Sequence, residues 1–341
     1  SAINAIHFVN QLTGWYTGNS SEIRKTTDGG ATWVQQSFGV GSGNNDIWFK
    51  DLNNGFVIGN NGILRKTTNG GGTWQTIASG VTVSLRKISF ANYNLGFIAC
   101  SNGQVLRTTD GGNTWNIITT GAGGINDIFF ADANTGYLSS SNNLYKTNDG
   151  GLTFNPLSTI ATYPILRIFF VDANTGYLSV GGEGIYKTNN GGLTWNNTTT
   201  LNGLYDTFYA IYFTDANTGF IGGDLGKINK TIDGGATWKN MRSGLGTELF
   251  SVFATHKDTA YTGGYEGKIF KTENGGVTYF QQTNAFPSRI NKIYFTSNNT
   301  GFACSDSGRI LKTIDGGEHW VLKPTNTIRG FTDFSFINAN Q

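Results

Sequence analysis

Proline, methionine, cysteine and charged side chains are all scarce in this sequence. Among its 341 residues there are 4 prolines, one methionine and two cysteines, and charged residues make up only 13%. Glycine is abundant at 49 residues, and aromatic residues make up 13%. This balance is typical of many short strands joined by tight turns, and it argues against extensive helix or disorder. We therefore predict an all-β protein, which at this length can be one repeated domain.

The sequence also lacks a strong net charge and any long apolar run. The formal net charge is +2, so no bulk electrostatic field favours nucleic acid or an anionic membrane. No apolar segment approaches the length of a transmembrane helix. No secretory signal precedes Ser1, but residues 3–8 already belong to the repeat described below, so a missing leader says nothing about export. Partners must therefore be recognised locally, and neither nucleic-acid binding nor membrane insertion is expected.

Residues that could bind a metal or form a disulfide are few and widely spaced. Cys100 and Cys304 fall at neighbouring positions of the same strand type in two distant repeats. A ring would hold them well apart, so we predict two small buried side chains. His7, His256 and His319 are unrelated in spacing, and no zinc spacing, phosphate loop or nucleophile elbow appears. The sequence therefore predicts neither a metal nor a cofactor.

One eight-residue segment recurs through the whole chain. Residues 26–33 read Thr-Thr-Asp-Gly-Gly-Ala-Thr-Trp. Close copies follow at intervals of 39 to 43 residues, beginning at Thr67, Thr108, Thr147, Thr188, Thr231, Thr272 and Thr313. Eight copies at so regular an interval indicate a repeat architecture.

Each period reads as four short strands. The first is apolar on both faces, as in 128–130 and 211–213, which is typical of a strand covered on both sides. An Asp-Ala-Asn-Thr-Gly turn such as 132–136 follows, and the second strand opens with an aromatic residue. A glycine-containing hairpin such as 60–62 leads to the third strand, which runs into the eight-residue segment, and the fourth strand starts at its Trp. Four strands in about 41 residues predict a β-propeller of about eight four-stranded blades.

The recurring segment reads as the hairpin turn between the third and fourth strands. Its third residue can accept backbone N–H bonds inside the turn, its two glycines can adopt positive φ, and its aromatic residue covers the turn. The third positions are Asp28, Asn69, Asp110, Asp149, Asn190, Asp233, Asn274 and Asp315. Three of the eight are Asn, so the position needs an acceptor but not a charge. We therefore interpret these residues as structural, and neither as metal ligands nor as catalytic carboxylates.

The pattern Ile-x-Lys-Thr-x-Asp-Gly-Gly-x-Thr-Trp resembles the BNR or Asp-box repeat family. The resemblance covers practically the whole chain, and it is strongest to photosystem II assembly and stability factor propellers and their secreted bacterial relatives. Asp-boxes also occur in sialidases, xyloglucanases and sortilin-type receptors, so the resemblance is specific for fold but weak for function. It implies a propeller whose box turns are architectural and whose ligand site lies elsewhere. One departure is that the assembly factors resemble seven-bladed rings, whereas this chain has eight boxes.

The end of the chain resembles the beginning of another repeat. We predict a single propeller domain over residues 1–341, of which residues 331–340 match the first strand of a ninth repeat, and nothing completes that blade. Either the chain was cut from a longer multidomain protein, or this strand helps close the ring near residues 1–9. We favour the first explanation.

Every period places a basic residue directly before the box threonine. The eight residues are Lys25, Lys66, Arg107, Lys146, Lys187, Lys230, Lys271 and Lys312. They could form a cationic ring for an acidic partner, or their stems could pack along the blade while their heads meet nearby carbonyls. Because the residue belongs to the repeat itself, we favour packing.

Departures from the repeat are better candidates for binding, because the fold does not require them. Loops between blades and turns between second and third strands usually share one face of a propeller. Aromatic and Arg side chains there would suit a protein or glycan surface. The candidates are Tyr163, Arg167, Tyr205, Tyr209, Arg289, Arg329, Arg86, Glu183 and Glu266. The interblade segment 198–208 is the best single candidate.

An enzymatic function finds little support. A glycosidase needs two carboxylates at a fixed separation, and a sialidase-like site needs three convergent arginines with a Tyr–Glu pair. Acidic residues outside the repeat positions are few and do not cluster in sequence. We therefore predict a non-catalytic propeller, secreted or on a bacterial surface, that binds protein or glycan. A chaperone of a membrane complex, similar to the photosystem factors, and an Asp-box glycoside hydrolase remain the alternatives.

Overall fold

The computed structural model describes residues 3–18, 21–36, 43–157, 160–199, 206–241, 246–282, 287–323 and 334–336. Within these ranges the chain forms eight sheets, each containing four consecutive antiparallel strands, and one of the sheets has a fifth strand. The predicted all-β propeller of eight four-stranded blades is confirmed. The only helical segments described are three-residue turns at Asn60–Gly62, Asp224–Gly226 and Tyr265–Gly267, and no helix in these ranges is long and apolar enough to span a membrane.

The strands follow the blades in chain order. Blade 1 contains β1 Ile3–Phe8, β2 Gly14–Gly18, β3 Ile23–Thr26 and β4 Val34–Gln35, and blade 2 contains β5 Asn44–Phe49, β6 Gly55–Gly59, β7 Leu64–Thr67 and β8 Gln75–Thr76. Blade 3 contains β9 Leu85–Phe90, β10 Gly96–Cys100, β11 Gln104–Thr108 and β12 Asn116–Thr119. Blade 4 contains β13 Asp127–Phe130, β14 Gly136–Ser140, β15 Asn143–Thr147 and β16 Asn155–Pro156. Blade 5 contains β17 Ile165–Phe170, β18 Gly176–Val180, β19 Gly184–Thr188 and β20 Asn196–Asn197, and blade 6 contains β21 Phe208–Phe213, β22 Gly219–Gly223, β23 Ile228–Thr231 and β24 Lys239–Asn240. Blade 7 contains β25 Leu249–Ala254, β26 Ala260–Gly264, β27 Ile269–Thr272 and β28 Phe280–Gln281. Blade 8 contains β29 Ile290–Phe295, β30 Gly301–Ser305, β31 Ile310–Thr313 and β32 Val321–Lys323. A last strand is β33 Phe334–Phe336.

The first strand of each blade lies nearest the axis. First strands of successive blades pack on one another, as β21 does on β25 and β25 on β29. The apolar segments 128–130 and 211–213 belong to these strands, as predicted. Each second strand is buried along its full length, whereas the short fourth strands are largely exposed. The fourth strands begin one residue after the box aromatic and not at it.

The turns divide between two faces of the ring. The Gly70 amide in a box donates to the Asn53 carbonyl in the turn after β5, at 2.8 Å, so boxes and first-to-second-strand turns share one face. On the opposite face, the Asn60 amide in a hairpin tip donates to the Gly43 carbonyl in an interblade loop, at 3.1 Å. We call these the box face and the loop face. The predicted common face for interblade loops and hairpin tips is therefore present.

Aromatic stacks fill the space between blades. The Tyr137 ring of blade 4 stacks on Phe170 of blade 5, with centroids 4.1 Å apart, and Trp195 of the blade 5 box meets Phe170 edge-on at 5.9 Å. Offset stacks and edge-to-face pairs are the favoured arrangements of aromatic rings. The same three-ring arrangement recurs as Trp15–Phe49–Trp74, Tyr177–Phe213–Trp238 and Tyr261–Phe295–Trp320.

Blade 7 departs from this pattern at two positions at once. In the other blades the last residue of the first strand is Phe and the second strand starts with Gly, because a Cβ at Gly136 would come within 2.6 Å of the Phe130 ring. Blade 7 has Ala254 in place of the Phe and Ala260 in place of the Gly. The small side chain at one position makes room for the Cβ at the other.

The strand at the end of the chain joins the first blade. β33 pairs in parallel with β1, so that blade 1 is a five-stranded sheet in the order β33-β1-β2-β3-β4. This is the closing arrangement that we considered second for residues 331–340. Our preferred explanation, that the chain was cut from a longer protein, stays a prediction.

Both cysteines are buried second-strand residues without a disulfide, as predicted. Cys100 ends β10 in blade 3, and Cys304 lies in β30 in blade 8. Burial raises the pKa of the Cys100 thiol to about 12, which leaves it protonated and unreactive at neutral pH.

The blade 7 exception leads to a mutational test. Gly136→Ala should destabilise the protein by about 1–3 kcal/mol, since the new methyl group meets the Phe130 ring. In a Phe130→Ala background, which reproduces the blade 7 pair, the same substitution should cost less than about 0.5 kcal/mol. Urea unfolding of the wild type, both single variants and the double variant measures the coupling. Equal costs in the two backgrounds would contradict this explanation of the glycine.

Candidate functional site

Each box is held by one repeated hydrogen-bond pattern. In the blade 3 box the Thr108 hydroxyl donates to Asp110 Oδ1 at 2.8 Å and accepts from the Gly112 amide at 2.9 Å. Asp110 also accepts from the Thr114 amide at 3.0 Å and from the Thr114 hydroxyl at 2.6 Å. Both glycines have positive φ, with Gly111 at 71° and Gly112 at 80°. The third residue is therefore an acceptor inside the turn.

Asparagine makes the same turn with one hydrogen bond reversed. Asn69 Oδ1 accepts from the Thr67 hydroxyl at 3.0 Å and the Thr73 amide at 2.9 Å, while Asn69 Nδ2 donates to the Thr73 hydroxyl at 3.0 Å. Where the residue is Asp, bonds to the carboxylate stabilise its charged form. Those from the Thr237 hydroxyl and amide lower the pKa of Asp233 to about 2. These carboxylates are committed to the turn.

The residues before the boxes connect neighbouring blades. Lys146 of blade 4 donates to the Gly191 carbonyl in the blade 5 box at 2.6 Å, and the Tyr137 hydroxyl donates to the same carbonyl at 2.8 Å. Lys146 also lies over the Tyr137 ring, 5.5 Å from its centroid. The first glycine carbonyl of six boxes accepts a side-chain bond of this kind, at Gly70, Gly111, Gly150, Gly191, Gly234 and Gly316. The basic residues therefore pack between blades, as we favoured.

A patch of aromatic and Arg side chains lies at the axial end of the loop face. We define the aromatic–arginine patch as Arg167, Tyr209, Phe250, Tyr265 and Arg289. Tyr209 and Phe250 have centroids 5.2 Å apart, and Phe250 meets Tyr265 edge-on at 5.1 Å. The Arg289 guanidinium lies 4.6 Å from the Phe250 centroid and 5.9 Å from that of Tyr265. Four successive blades, 5 to 8, contribute to this surface.

The patch surrounds a pocket of about 270 Å³. Its lining consists of Leu166, Arg167, Tyr209, Phe250, Arg289 and Asn291. Arg289 is fixed at the rim, because it forms an ion pair with Asp306 at 3.0 Å and donates to Asn291 at 2.7 Å. Arg167 is exposed and donates to the adjacent Leu166 carbonyl at 2.9 Å, so it can turn toward a ligand. The pocket thus combines an apolar floor with two guanidinium groups.

The backbone explains why these residues meet. Most of the pocket residues lie at the start of a first strand, where the pairing of β17, β21, β25 and β29 with their second strands shifts register. Arg289 directly precedes β29, and Tyr265 lies at the hairpin tip of blade 7. The bulge points successive side chains toward the axis instead of into the blade interface. A ring of blades then brings these positions together, although they lie about 40 residues apart in sequence.

The sequence analysis selected Arg167, Tyr209 and Arg289 but omitted their neighbours. Phe250 occupies the same position in β25 as Tyr209 does in β21, and Leu166 and Asn291 are its equivalents in β17 and β29. Comparing each repeat position across all blades would have found them.

The other candidate residues lie outside the patch. Tyr163 is 48% exposed in an interblade loop. Glu183 accepts from the Thr162 amide at 2.8 Å and from the Tyr186 hydroxyl at 2.8 Å, and Arg86 donates to a carbonyl of the next blade. Glu266 is exposed at a hairpin tip, where it pairs with Lys268 at 2.7 Å. Tyr205 and Arg329, with most of segment 198–208, fall outside the described residues.

A larger polar pocket of about 480 Å³ lies on the box face between blades 7 and 8. Its centre is Lys271, which is only 6% exposed and pairs with Glu273 at 2.7 Å and Glu318 at 2.5 Å. All three charges are thereby partnered within the protein. In the part of the chain that the structure describes, no group of three or more His, Cys, Asp or Glu residues could hold a metal ion.

Comparisons with known proteins agree with this architecture. The sequence model of the family described as photosynthesis system II assembly factor YCF48 matches residues 1–77 and 38–123. The chain is a β-propeller that is similar to these assembly factors over residues 1–123. No curated protein matches it by sequence.

Solved propellers align over most of the chain at low identity. A structure of YCF48 bound to a D1 peptide is 19% identical with a TM-score of 0.60, covering 80% of this chain and 93% of that one. YCF48 from Cyanidioschyzon merolae is 17% identical with a TM-score of 0.58, covering 94% and 95%. The GH74 xyloglucanase from Xanthomonas campestris is 10% identical with a TM-score of 0.59, covering 94% and 67%. At these identities the likeness establishes the propeller fold alone.

The box geometry predicts how its third residue responds to substitution. Asp110→Asn should change the free energy of unfolding by less than about 0.5 kcal/mol, because Asn makes the same bonds in three sister boxes. Asp110→Ala should lower it by about 1–2 kcal/mol, since several turn hydrogen bonds are lost at an exposed site. Thermal and urea unfolding at neutral pH measure both effects. Equal losses for Asn and Ala would refute the acceptor role.

A pH test follows from the low pKa of Asp233. Since the pKa is about 2 in the folded protein and 3.8 ordinarily, the carboxylate stabilises the fold fully above about pH 4, and the contribution disappears as the pH falls toward 2. Asp233→Asn takes up no proton there. The wild type and the Asp233→Asn variant should therefore have similar urea midpoints at pH 7. Between pH 4 and pH 2.5 the urea midpoint of the variant should fall less than that of the wild type. An equal fall in the urea midpoints of both proteins would contradict the stabilising role given to the Asp233 carboxylate.

Proposed function

We propose that this propeller is a non-catalytic binding module that recognises an extended protein segment through the aromatic–arginine patch. The observation that carries the proposal is the pocket of about 270 Å³, which non-repeat residues of four blades line with aromatic and Arg side chains. Aromatic and Arg side chains dominate the energetics of protein interfaces. The fold does not require them at these positions, since other blades carry Asn45 and Asn126 where the patch has Tyr209 and Phe250, and Asp46 and Asp127 where it has Arg167.

The chemistry of the patch favours a protein segment over a glycan. The pocket is large enough for one side chain and too small for a chain of sugar rings. Arg167 at its rim can pair with a carboxylate, and the Phe250 ring offers apolar contact. Tyr209 adds a hydroxyl whose pKa is raised to about 12 by burial and by a hydrogen bond to Asp224, so it stays a neutral donor. The structure of YCF48 bound to a D1 peptide supports the same ligand class.

Two finer functions are compatible with this proposal. The match of residues 1–123 to the photosystem assembly-factor family favours a chaperone of a membrane complex. The abundance of Asn, Thr, Ser and Gly with few lysines favours a secreted or surface-bound bacterial protein that binds protein or glycan. The likeness to a xyloglucanase keeps glycoside hydrolysis as a third candidate. Fractionation of the native host, with the protein found outside the cell or with a membrane complex, separates the first two.

A binding screen tests the proposed ligand class and surface together. Immobilised propeller would be presented with a displayed library of random peptides and, separately, with a glycan array. We expect selected peptides to bind the wild type and to lose at least about tenfold in affinity when Arg167→Ala and Phe250→Ala are combined, which corresponds to about 1.4 kcal/mol. Two hot-spot side chains commonly contribute at least this much.

Two control variants identify the surface. Arg86→Ala removes a loop-face Arg outside the patch, and Lys187→Ala removes a box-face base. Both should bind like the wild type, and all variants should keep the wild-type circular dichroism spectrum. Loss of binding in the Lys187→Ala variant alone would show that the site lies on the box face. Binding of glycans without peptides would contradict the ligand class, and cleavage of any glycan would contradict the non-catalytic proposal.

A further inference from the structure

The strand β33 occupies a position that no ordinary blade strand takes. It lies on the channel-side edge of β1, where Ile6 is paired with Phe334, His7 with Ser335 and Phe8 with Phe336. In the described parts of the other blades, the first strand is the edge strand and pairs only with the second strand. The channel-side edge of β1 therefore accepts an additional strand, in parallel orientation.

The residues of β1 beside β33 are uncharged, which suits this docking. The residue before the last residue of β1 is His7, which is 2% exposed. At the same position Phe253 is also buried, whereas six residues remain partly exposed: Trp48, Ser89, Phe129, Phe169, Tyr212 and Tyr294. Burial lowers the pKa of His7 to about 3, so the imidazole is neutral. Two residues earlier β1 has Ala5, as β21 has Ala210 and β25 has Ser251, whereas β9 has Lys87 and β17 has Arg167. A strand can thus approach β1 without removing a charge from water.

The occupant has the sequence of a first strand but lies outside the ring of complete blades. Residues 331–340 match the start of a repeat, and ten residues, 324–333, separate β33 from the end of blade 8. Within the described residues, three pairs join β33 to β1. A strand at the edge of a sheet opens more readily than the strands inside it.

We propose that the channel-side edge of β1 is a strand-binding site, and that β33 of this chain is its resident occupant. The site takes an extended, uncharged segment that alternates aromatic and small polar residues, as Phe334-Ser335-Phe336 does. Main-chain hydrogen bonds to the free edge provide the affinity, as in other cases of β-strand addition. The site lies on β1 of blade 1 and shares no residue with the aromatic–arginine patch, so it stands independently of the proposed function.

The test supplies the occupant in trans. A chain ending at Lys323 would be titrated against a labelled synthetic peptide of residues 331–341, with fluorescence anisotropy as the readout. The shortened chain should bind the peptide saturably. The full-length chain should bind it at least tenfold more weakly, because its own segment fills the edge. A peptide with Ser335→Pro and Phe336→Pro should bind the shortened chain at least tenfold more weakly, because proline removes strand N–H donors.

Two outcomes overturn the proposal when the shortened chain folds. One is the absence of peptide binding, and the other is equal binding by the shortened and full-length chains. If the shortened chain does not fold, hydrogen exchange in the full-length protein gives the answer. The Ser335→Pro variant should then show at least tenfold faster exchange at residues 6–8 of β1, with the equivalent residues 47–49 of β5 unchanged. Unchanged exchange at residues 6–8 would overturn the proposal.

Discussion

The carbonyl of the first box glycine is the point at which one blade is fastened to the next. In the blade 5 box, the Gly191 carbonyl accepts hydrogen bonds from both Tyr137 and Lys146 of blade 4. That carbonyl can face the neighbouring blade only if the box turn has its two positive-φ glycines, and the turn is held in shape by its Asp or Asn acceptor. The acceptor, the glycine pair, the preceding base and the second-strand aromatic residue are therefore parts of one interaction, which explains why they recur together.

This interaction also determines where the protein is free to vary. The box face is occupied by contacts between blades, and in its pocket of about 480 Å³ Lys271 forms ion pairs with Glu273 and Glu318. On the loop face the second residue of the first strand makes a comparable contact in blades 1 to 3, where Asn4, Asn45 and Arg86 donate to a backbone carbonyl of the next blade. Leu166 and Phe250 have no side-chain donor to make it. Asn, Arg, Leu, Tyr and Phe all occur at the second position of these strands. The ring forms with Leu166, Tyr209 and Phe250 at this position in blades 5 to 7. Binding residues can therefore accumulate there, which is the physical basis of the proposed function.

Much of the architecture could be predicted because it is encoded locally. Asp110 and its two following glycines specify a turn by their own hydrogen bonds and φ values, and eight copies specify eight blades. The patch could be predicted only in part, because it depends on ring geometry. Arg167 and Arg289 are 122 residues apart in sequence, and only the closure of blades 5 to 8 brings them to one pocket.

Two further features could be identified only from the structure. Phe250 was missed because an aromatic residue in a strand is usually a core residue, and only the bulge at the start of β25 directs it to the surface. The pairing of β33 with β1 was open because a first-strand sequence suits either a further blade or a free sheet edge. In contrast, the paired change of Ala254 and Ala260 was visible in the aligned repeats, although its meaning needed the 2.6 Å contact seen at Gly136.

Native-state hydrogen exchange in low urea tests most directly whether the box is the fastening point between blades. The amides of Gly192 and Gly235, which donate to the box threonines at 2.9 and 2.7 Å, are the probes, and the amide of Leu178 in a second strand is the core reference. If the boxes fasten the ring, the box amides should exchange only through global unfolding, with the same free energy and urea dependence as Leu178. Exchange of the box amides through local opening, with little urea dependence and a free energy several kcal/mol lower, would contradict the account.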